Sequence, residues 1–135
     1  MNTISIWHAN AVQRRSMEME NFLYQEGRAV YKSAVMDMFN SSKEVMERNN
    51  LKIEDVKWFV PHQANLRIIE AVGSRLGLSE EQVLVNIQKV GNTSAASIPI
   101  CLDHNKGKLK KGDKIVLTAF GAGFTWGASY LIWGM

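Results

Sequence analysis

Cysteine occurs once in the 135 residues, as Cys101. A lone thiol excludes an intramolecular disulfide framework and fits a reducing cytosol. No apolar run approaches the roughly 20 residues needed to cross a bilayer. The start, Met1-Asn2-Thr3-Ile4-Ser5-Ile6-Trp7-His8, has neither the basic region nor the long apolar segment of a signal peptide. A cytoplasmic location without membrane attachment is therefore expected. The composition of a disordered chain is missing too: hydrophobic residues make up 46%, ample for a packed core. The length fits one domain.

The net charge is +3, and much of the excess sits in Lys106, Lys108, Lys110, Lys111 and Lys114, spaced by Gly107 and Gly112. A nucleic-acid surface would want aromatics or a recognition helix among those lysines, and neither is present. With Asp113 they suggest a solvated turn leading into the apolar run at Ile115. A weak steering role toward an acidic partner stays open.

Residues 1–20 show no sustained period and read as a loop or poorly ordered start, left unassigned; Asn21 to Gln25 fits a short strand. From Arg28 a helical pattern carries Tyr31, Val35, Met38, Phe39, Val45 and Met46 on one face and ends at Asn49-Asn50. Its methionines read as core filler at that spacing. Val56, Trp58 and Val60 alternate as a strand would, and Pro61, with no backbone donor, should stop its pairing. Leu66, Ile69, Val72 and Leu76 form a helical stripe closed by Gly77, a left-handed C-cap candidate. Ser79 to Gln82 fits a capping box, and Val83 to Ile87 a second buried strand. A third helix should begin near Asn92 to Ser94 and turn Ile98, Ile100, Cys101 and Leu102 inward. Ile115 to Phe120 reads as a strand buried on both faces, Gly121-Ala122-Gly123 breaks it, and Ala128 to Trp133 is a final strand. This alternation implies an α/β fold, a mixed sheet with helices on its faces.

Generic motifs mostly fail. Gly121-Ala122-Gly123-Phe124-Thr125-Trp126-Gly127 looks like a phosphate loop, yet a strand and not a helix should follow it. Cys101 and His104 are too few ligands for a structural zinc site, so no metal is expected. A buried thiol and a surface imidazole fit better. Cys101 also lies too far into its helix for the N-terminal amides to activate it as a nucleophile. His62 and Asn92 differ: each follows a strand end, where open α/β sheets place ligands. A neutral imidazole offers one N–H and an asparagine amide two, enough to hold a developing enolate oxygen without losing a proton.

Three stretches carry a resemblance: Pro61-His62-Gln63-Ala64-Asn65-Leu66-Arg67, Gly91-Asn92-Thr93-Ser94-Ala95-Ala96-Ser97 and Phe120-Gly121-Ala122-Gly123-Phe124-Thr125-Trp126-Gly127. In order and spacing, residues 21–135 resemble the C-terminal half of β-ketoacyl-acyl-carrier-protein synthase III, the initiating condensing enzyme of bacterial fatty acid synthesis, in the thiolase-like fold. The resemblance implies a Cys-His-Asn triad whose cysteine takes an acyl group from acyl-CoA. His62 and Asn92 match the two residues that hold the malonyl thioester oxygen while carbon dioxide leaves. It further implies that Phe120 lines the reactive cysteine, that the glycine turn at Ala122 gives a backbone donor, and that Asn65 lies near the pantetheine arm. Ala122 stands where members often carry glycine, and its methyl would resist a positive φ. Arg67 matches a contact for the acyl carrier protein, with Lys32 a second, weaker candidate.

The family's nucleophilic cysteine belongs to an N-terminal half that this sequence does not contain. The expectations are a chain inactive alone, a separate N-terminal half as partner, and a homodimer when complete. Acyl-CoA and malonyl-carrier protein would be substrates, and no cofactor is implied. Two other readings stay open: a condensing enzyme of a polyketide-type pathway, and a non-catalytic fragment or interaction module of the same fold.

Overall fold

Ile115 and Val116 are neighbours in sequence and both fully buried, which requires a strand covered on both faces. That strand is β3 (Lys114–Gly121), central in a four-stranded mixed sheet of order β1-β4-β3-β2. The computed structural model describes the backbone of residues 4–9 and all of residues 26–135. The strand expected at Asn21 to Gln25 lies outside the described residues. β2 (Trp58–Pro61) runs parallel to β3, while β4 (Thr125–Ile132) is antiparallel to it. β1 (Ile4–Ala9) pairs antiparallel with β4 from Ile4 opposite Tyr130 to Ala9 opposite Thr125. For residues 4–9 this corrects the reading as loop; the rest of 1–20 lies outside the described residues. The partner that makes residues 4–9 a strand lies at the far end of the sequence, so no local period marks it.

One face of the sheet is covered by α1 (Gly27–Arg48) and α2 (Leu66–Leu76). Ala34, Val35, Met38, Val45 and Met46 of α1 pack there with Phe59, Val72, Val116 and Tyr130. Met38 and Met46 are core filler, as expected, while Met36 is only half-buried and Tyr31 turns out to be exposed. α2 starts on Asn65, whose Oδ1 accepts the Arg67 amide at 2.9 Å, and ends on Gly77 at φ 79°. The opposite face carries α4 (Ser97–Asn105), with Cys101 packed among Val60, Leu84, Leu109, Ile115 and Leu131. α4 follows a single 3₁₀ turn at Ser94–Ala96, so Asn92 precedes the helix instead of opening it. The lysine-rich segment is a solvated turn: Lys106, Lys108, Lys110 and Lys111 are exposed, and only Leu109 points inward.

Two expectations around Pro61 need correction, and both follow from one missing hydrogen. β2 does not stop pairing at Pro61, which lies in register with Thr118; the His62 amide then donates to the Thr118 carbonyl at 2.8 Å. In a parallel ladder alternate residues address opposite neighbours, so His62 faces β3 and Pro61 faces away from it. The loss falls on the other side. There Val83 forms an isolated parallel bridge with Phe59, and the Leu84 amide donates to the Phe59 carbonyl at 2.9 Å. The next rung would need an N–H from residue 61. The expected strand over Val83 to Ile87 therefore goes no further, and the chain turns into a short helix α3 (Ile87–Val90).

The side chain of Gln63 fills the gap. Its Nε2 donates to the Leu84 carbonyl at 3.2 Å and to the Pro61 carbonyl at 2.8 Å. Its Oε1 accepts the Asn86 amide at 2.9 Å. Gln63 is fully buried, and its amide stands in for a strand rung.

The β3–β4 hairpin closes through Ala122, Gly123 and Phe124, with β4 starting at Thr125, earlier than the expected Ala128. Gly123 adopts φ +139°, where a Cβ would also meet Thr125 Oγ1 at 2.6 Å. Positive φ falls on Gly123 and not on Ala122, so the alanine methyl is unstrained.

Replacing Gln63 by leucine keeps the volume but strands the Pro61 and Leu84 carbonyls and the Asn86 amide. A loss of about 3 kcal/mol of stability is expected, read as a lower urea midpoint, because each buried unpaired group costs roughly 1–3 kcal/mol. An unchanged midpoint would remove the rung assigned to the amide.

Candidate active site

His62 leaves the end of β2 beside the end of β3, where Phe120 sits with its ring 4.9 Å from that of Phe124. The two strands are parallel, so their C-terminal ends share one edge of the sheet, the edge that receives ligands in α/β folds. Ala122 is exposed at the hairpin tip on that edge. His62 is half-buried, and burial lowers its pKa below the ordinary 6.5, which favours the neutral ring at physiological pH. Its Nδ1 lies 2.6 Å from Ser97 Oγ, and the Gln63 amide donates to the same oxygen at 3.2 Å.

Asn92 is exposed, and its Oδ1 accepts the Ser94 amide at 2.9 Å. An N–H can only donate, so the oxygen is assigned by chemistry, and Nδ2 is the donor that Asn92 can offer a ligand. Asn92 also lines a groove of about 640 Å³. The rest of its wall comes from the start of α1 (Gly27, Arg28, Val30, Tyr31) and the start of α2 (Ala64, Asn65, Arg67, Ile68). Arg67 lies over the Tyr31 ring, 5.7 Å from its centroid, a cation–π contact.

The structure thus gathers Asn65, Arg67 and Asn92 on one groove. His62, Phe120 and Ala122 lie along the sheet edge, and the groove wall does not include them. Lys32 is exposed on α1 but outside the groove wall. Cys101 is fully buried, its thiol pushed up to about 11 by desolvation, with Lys108 pulling slightly the other way. His104 is exposed and lies with Nδ1 3.3 Å from Asn86 Nδ2. Buried thiol and surface imidazole are as expected. Among the described residues, no three His, Cys, Asp or Glu side chains gather as metal ligands, and no helix is long and apolar enough to cross a membrane.

Gln63 and Ser97 were not singled out from the sequence, although both lie inside the quoted motifs. A glutamine next to a proline that ends a strand was the available signal for the first. For Ser97 the only hint was a polar side chain opening an apolar helix.

Fold and motifs together define a domain of the thiolase-like fold. The family model for the C-terminal domain of 3-oxoacyl-[acyl-carrier-protein] synthase III matches residues 46–133, and the chain belongs to that family. A β-ketoacyl-[acyl-carrier-protein] synthase III of Porphyromonas gingivalis is 61% identical over 113 residues, covering 84% of this chain and 34% of that protein. The crystal structure of 3-oxoacyl-[acyl-carrier-protein] synthase III from Aquifex aeolicus superposes with a TM-score of 0.88 at 43% identity, over 96% of this chain and 43% of that one. A priming β-ketosynthase of a polyketide pathway gives a TM-score of 0.75 at 36% identity, over 82% of this chain and 34% of that one. The chain spans about a third of the length of the curated relatives it matches.

Two measurements check the local chemistry. A disulfide thiol reagent should leave Cys101 nearly untouched in the folded chain and modify it stoichiometrically in denaturant; fast native labelling would contradict its burial. His62 gives a pH signature with a definite sign. Its folded pKa lies below the unfolded 6.5, so the unfolded chain binds more protons as pH falls through that value. Its contribution to stability is complete above that pH and is lost on acidification through the folded pKa. His62→Gln should flatten that part of the curve, and an unaltered curve would place the titration elsewhere.

Proposed function

We propose that this chain is the C-terminal catalytic portion, residues 21–135, of a decarboxylating condensing enzyme, with the preceding strand closing its sheet. The enzyme joins an acyl-CoA starter to malonyl-acyl-carrier protein and so initiates fatty acid synthesis. The observation that carries the reading is the pair of donors, His62 at the end of β2 and Asn92 just after α3. His62 is biased toward neutrality by burial, and Asn92 has its oxygen engaged and an amide nitrogen to offer. Both lie within the residues matched by the 3-oxoacyl-[acyl-carrier-protein] synthase III family model.

In the proposed reaction the starter first resides as a thioester on a cysteine of the N-terminal half. The malonyl thioester then loses carbon dioxide, and the electron pair of the broken C–C bond passes into an enolate. Its oxygen is held by an N–H of His62 and an N–H of Asn92, with no proton transferred. The enolate carbon attacks the acyl-cysteine carbonyl, forms the new C–C bond and releases the cysteine thiolate. Asn65 and Arg67 suit the pantetheine arm and the acidic carrier protein respectively, since both line the groove leading past Asn92. Lys32 extends the same cationic surface. Phe120 and the turn at Ala122 border the acyl-cysteine. The reading takes the complete enzyme as a cytoplasmic homodimer without a resident cofactor. The likeness to a polyketide-priming enzyme supports a second reading, in which the chemistry is the same and the starter differs.

The test is reconstitution. Alone, the chain should gain no acetyl group from acetyl-CoA, because its one thiol is buried. With a cognate N-terminal half, intact mass should show a gain of about 42 daltons, one acetyl group, on that half's cysteine. His62→Ala and Asn92→Ala should each slow malonyl decarboxylation by roughly 10²–10³-fold, the range for removing one oxyanion donor. Acetylation should suffer less. Undiminished decarboxylation in both variants would remove the catalytic roles, and a complex that never acylates would favour a non-catalytic module.

A further inference from the structure

We propose that Ser97 is a positioning residue whose hydroxyl donates to Nδ1 of His62, fixing the imidazole as the tautomer with its proton on Nε2. The inference rests on the reading of His62 as an oxyanion donor and adds the residue that makes it one.

The argument is a count of hydrogens. Ser97 Oγ receives the Gln63 backbone N–H at 3.2 Å, a contact in which the oxygen can only accept. The hydroxyl has one hydrogen of its own, and among the described residues the nearest acceptor for it is His62 Nδ1 at 2.6 Å. If Nδ1 carried the ring proton instead, two N–H groups would converge on one oxygen. The hydroxyl hydrogen would then be left without an acceptor in a residue that is 1% exposed. A buried, unmade hydrogen bond is the costlier arrangement. Burial of the ring favours the neutral form, in which one nitrogen must accept.

The consequence lies at the other ring nitrogen. With Nδ1 occupied as an acceptor, Nε2 carries N–H and can meet a negative oxygen. The opposite tautomer would aim a lone pair at that oxygen and repel it. Ser97 itself is held by the same loop: the Gln63 amide fixes its oxygen, while the Gln63 side chain binds Pro61, Leu84 and Asn86.

Nitrogen NMR on the full 135-residue chain, labelled at its three histidines, reads the tautomer directly. Above the ordinary histidine pKa, His62 (assigned through loss of its signals in His62→Gln) should show one neutral species with a protonated Nε2 and an unprotonated Nδ1. Ser97→Ala should turn this into a mixture of tautomers, and Ser97→Thr, which keeps the hydroxyl, should restore the single species. A protonated Nδ1 in the parent chain would overturn the proposal, even if Ser97→Ala failed to fold. An unchanged, single Nε2–H species in a folded Ser97→Ala would also overturn it. With the N-terminal half present, Ser97→Ala should lower decarboxylation by about tenfold, less than the loss of the ring itself. The expected NMR result combined with undiminished decarboxylation in His62→Ala would support the tautomer assignment and remove the catalytic reading.

Discussion

A proline at the end of a strand removes one backbone hydrogen, and the geometry of the candidate site grows from how the fold replaces it. Pro61 turns its missing N–H away from β3, so the parallel ladder continues to His62. On its other side the Leu84 carbonyl would be left bare, and the amide of Gln63 supplies the donor. A glutamine can do this because it carries donor and acceptor on one planar group, as a peptide does. The replacement brings the Pro61 to Gln63 loop, the segment at Leu84 to Asn86 and the start of α4 into one hydrogen-bonded unit.

That unit explains why an imidazole at a turn is held so firmly. His62 is tied by its backbone to β3 and by its ring to α4, two elements that belong to different parts of the chain. Asn92 reaches the site from a separate segment, with its oxygen turned back onto its own backbone. On the proposed reading, both donors are set before any ligand arrives. Such preorganisation is what makes a hydrogen bond to a developing charge effective, since nothing must reorient when the charge appears.

Much of this could be read from the residues. α1 and α2 announced themselves through apolar positions at threes and fours and through Gly77. The double burial of β3 followed from an unbroken apolar run. His62 stood out as a polar residue where a strand gives way to a helix; Asn92 was read the same way, although it follows α3 and not a strand. What escaped had no local signal. The segment Val83 to Ile87 has a strand's composition, but its pairing is decided by a proline some twenty residues earlier. β1 is a strand only because β4 offers it an edge. Ser97 looks like one more small residue in a run of them, and only the folded chain brings its hydroxyl to the ring.

The pairing of β1 with β4 also bears on the order in which the molecule can be assembled. Ile4 to Ala9 precede Thr125 to Ile132 by more than a hundred residues of sequence, yet these are mutual partners. While the helices between them are being made, β1 lacks its β4 neighbour. The hairpin of β3 and β4 is local and can close quickly, whereas docking of β1 waits on a loop spanning nearly the whole chain. Until then the outer edge of β4 offers unpaired amides and carbonyls to any extended segment nearby. Fidelity of folding thus hinges on the β1 segment staying unattached until its distant partner is in place.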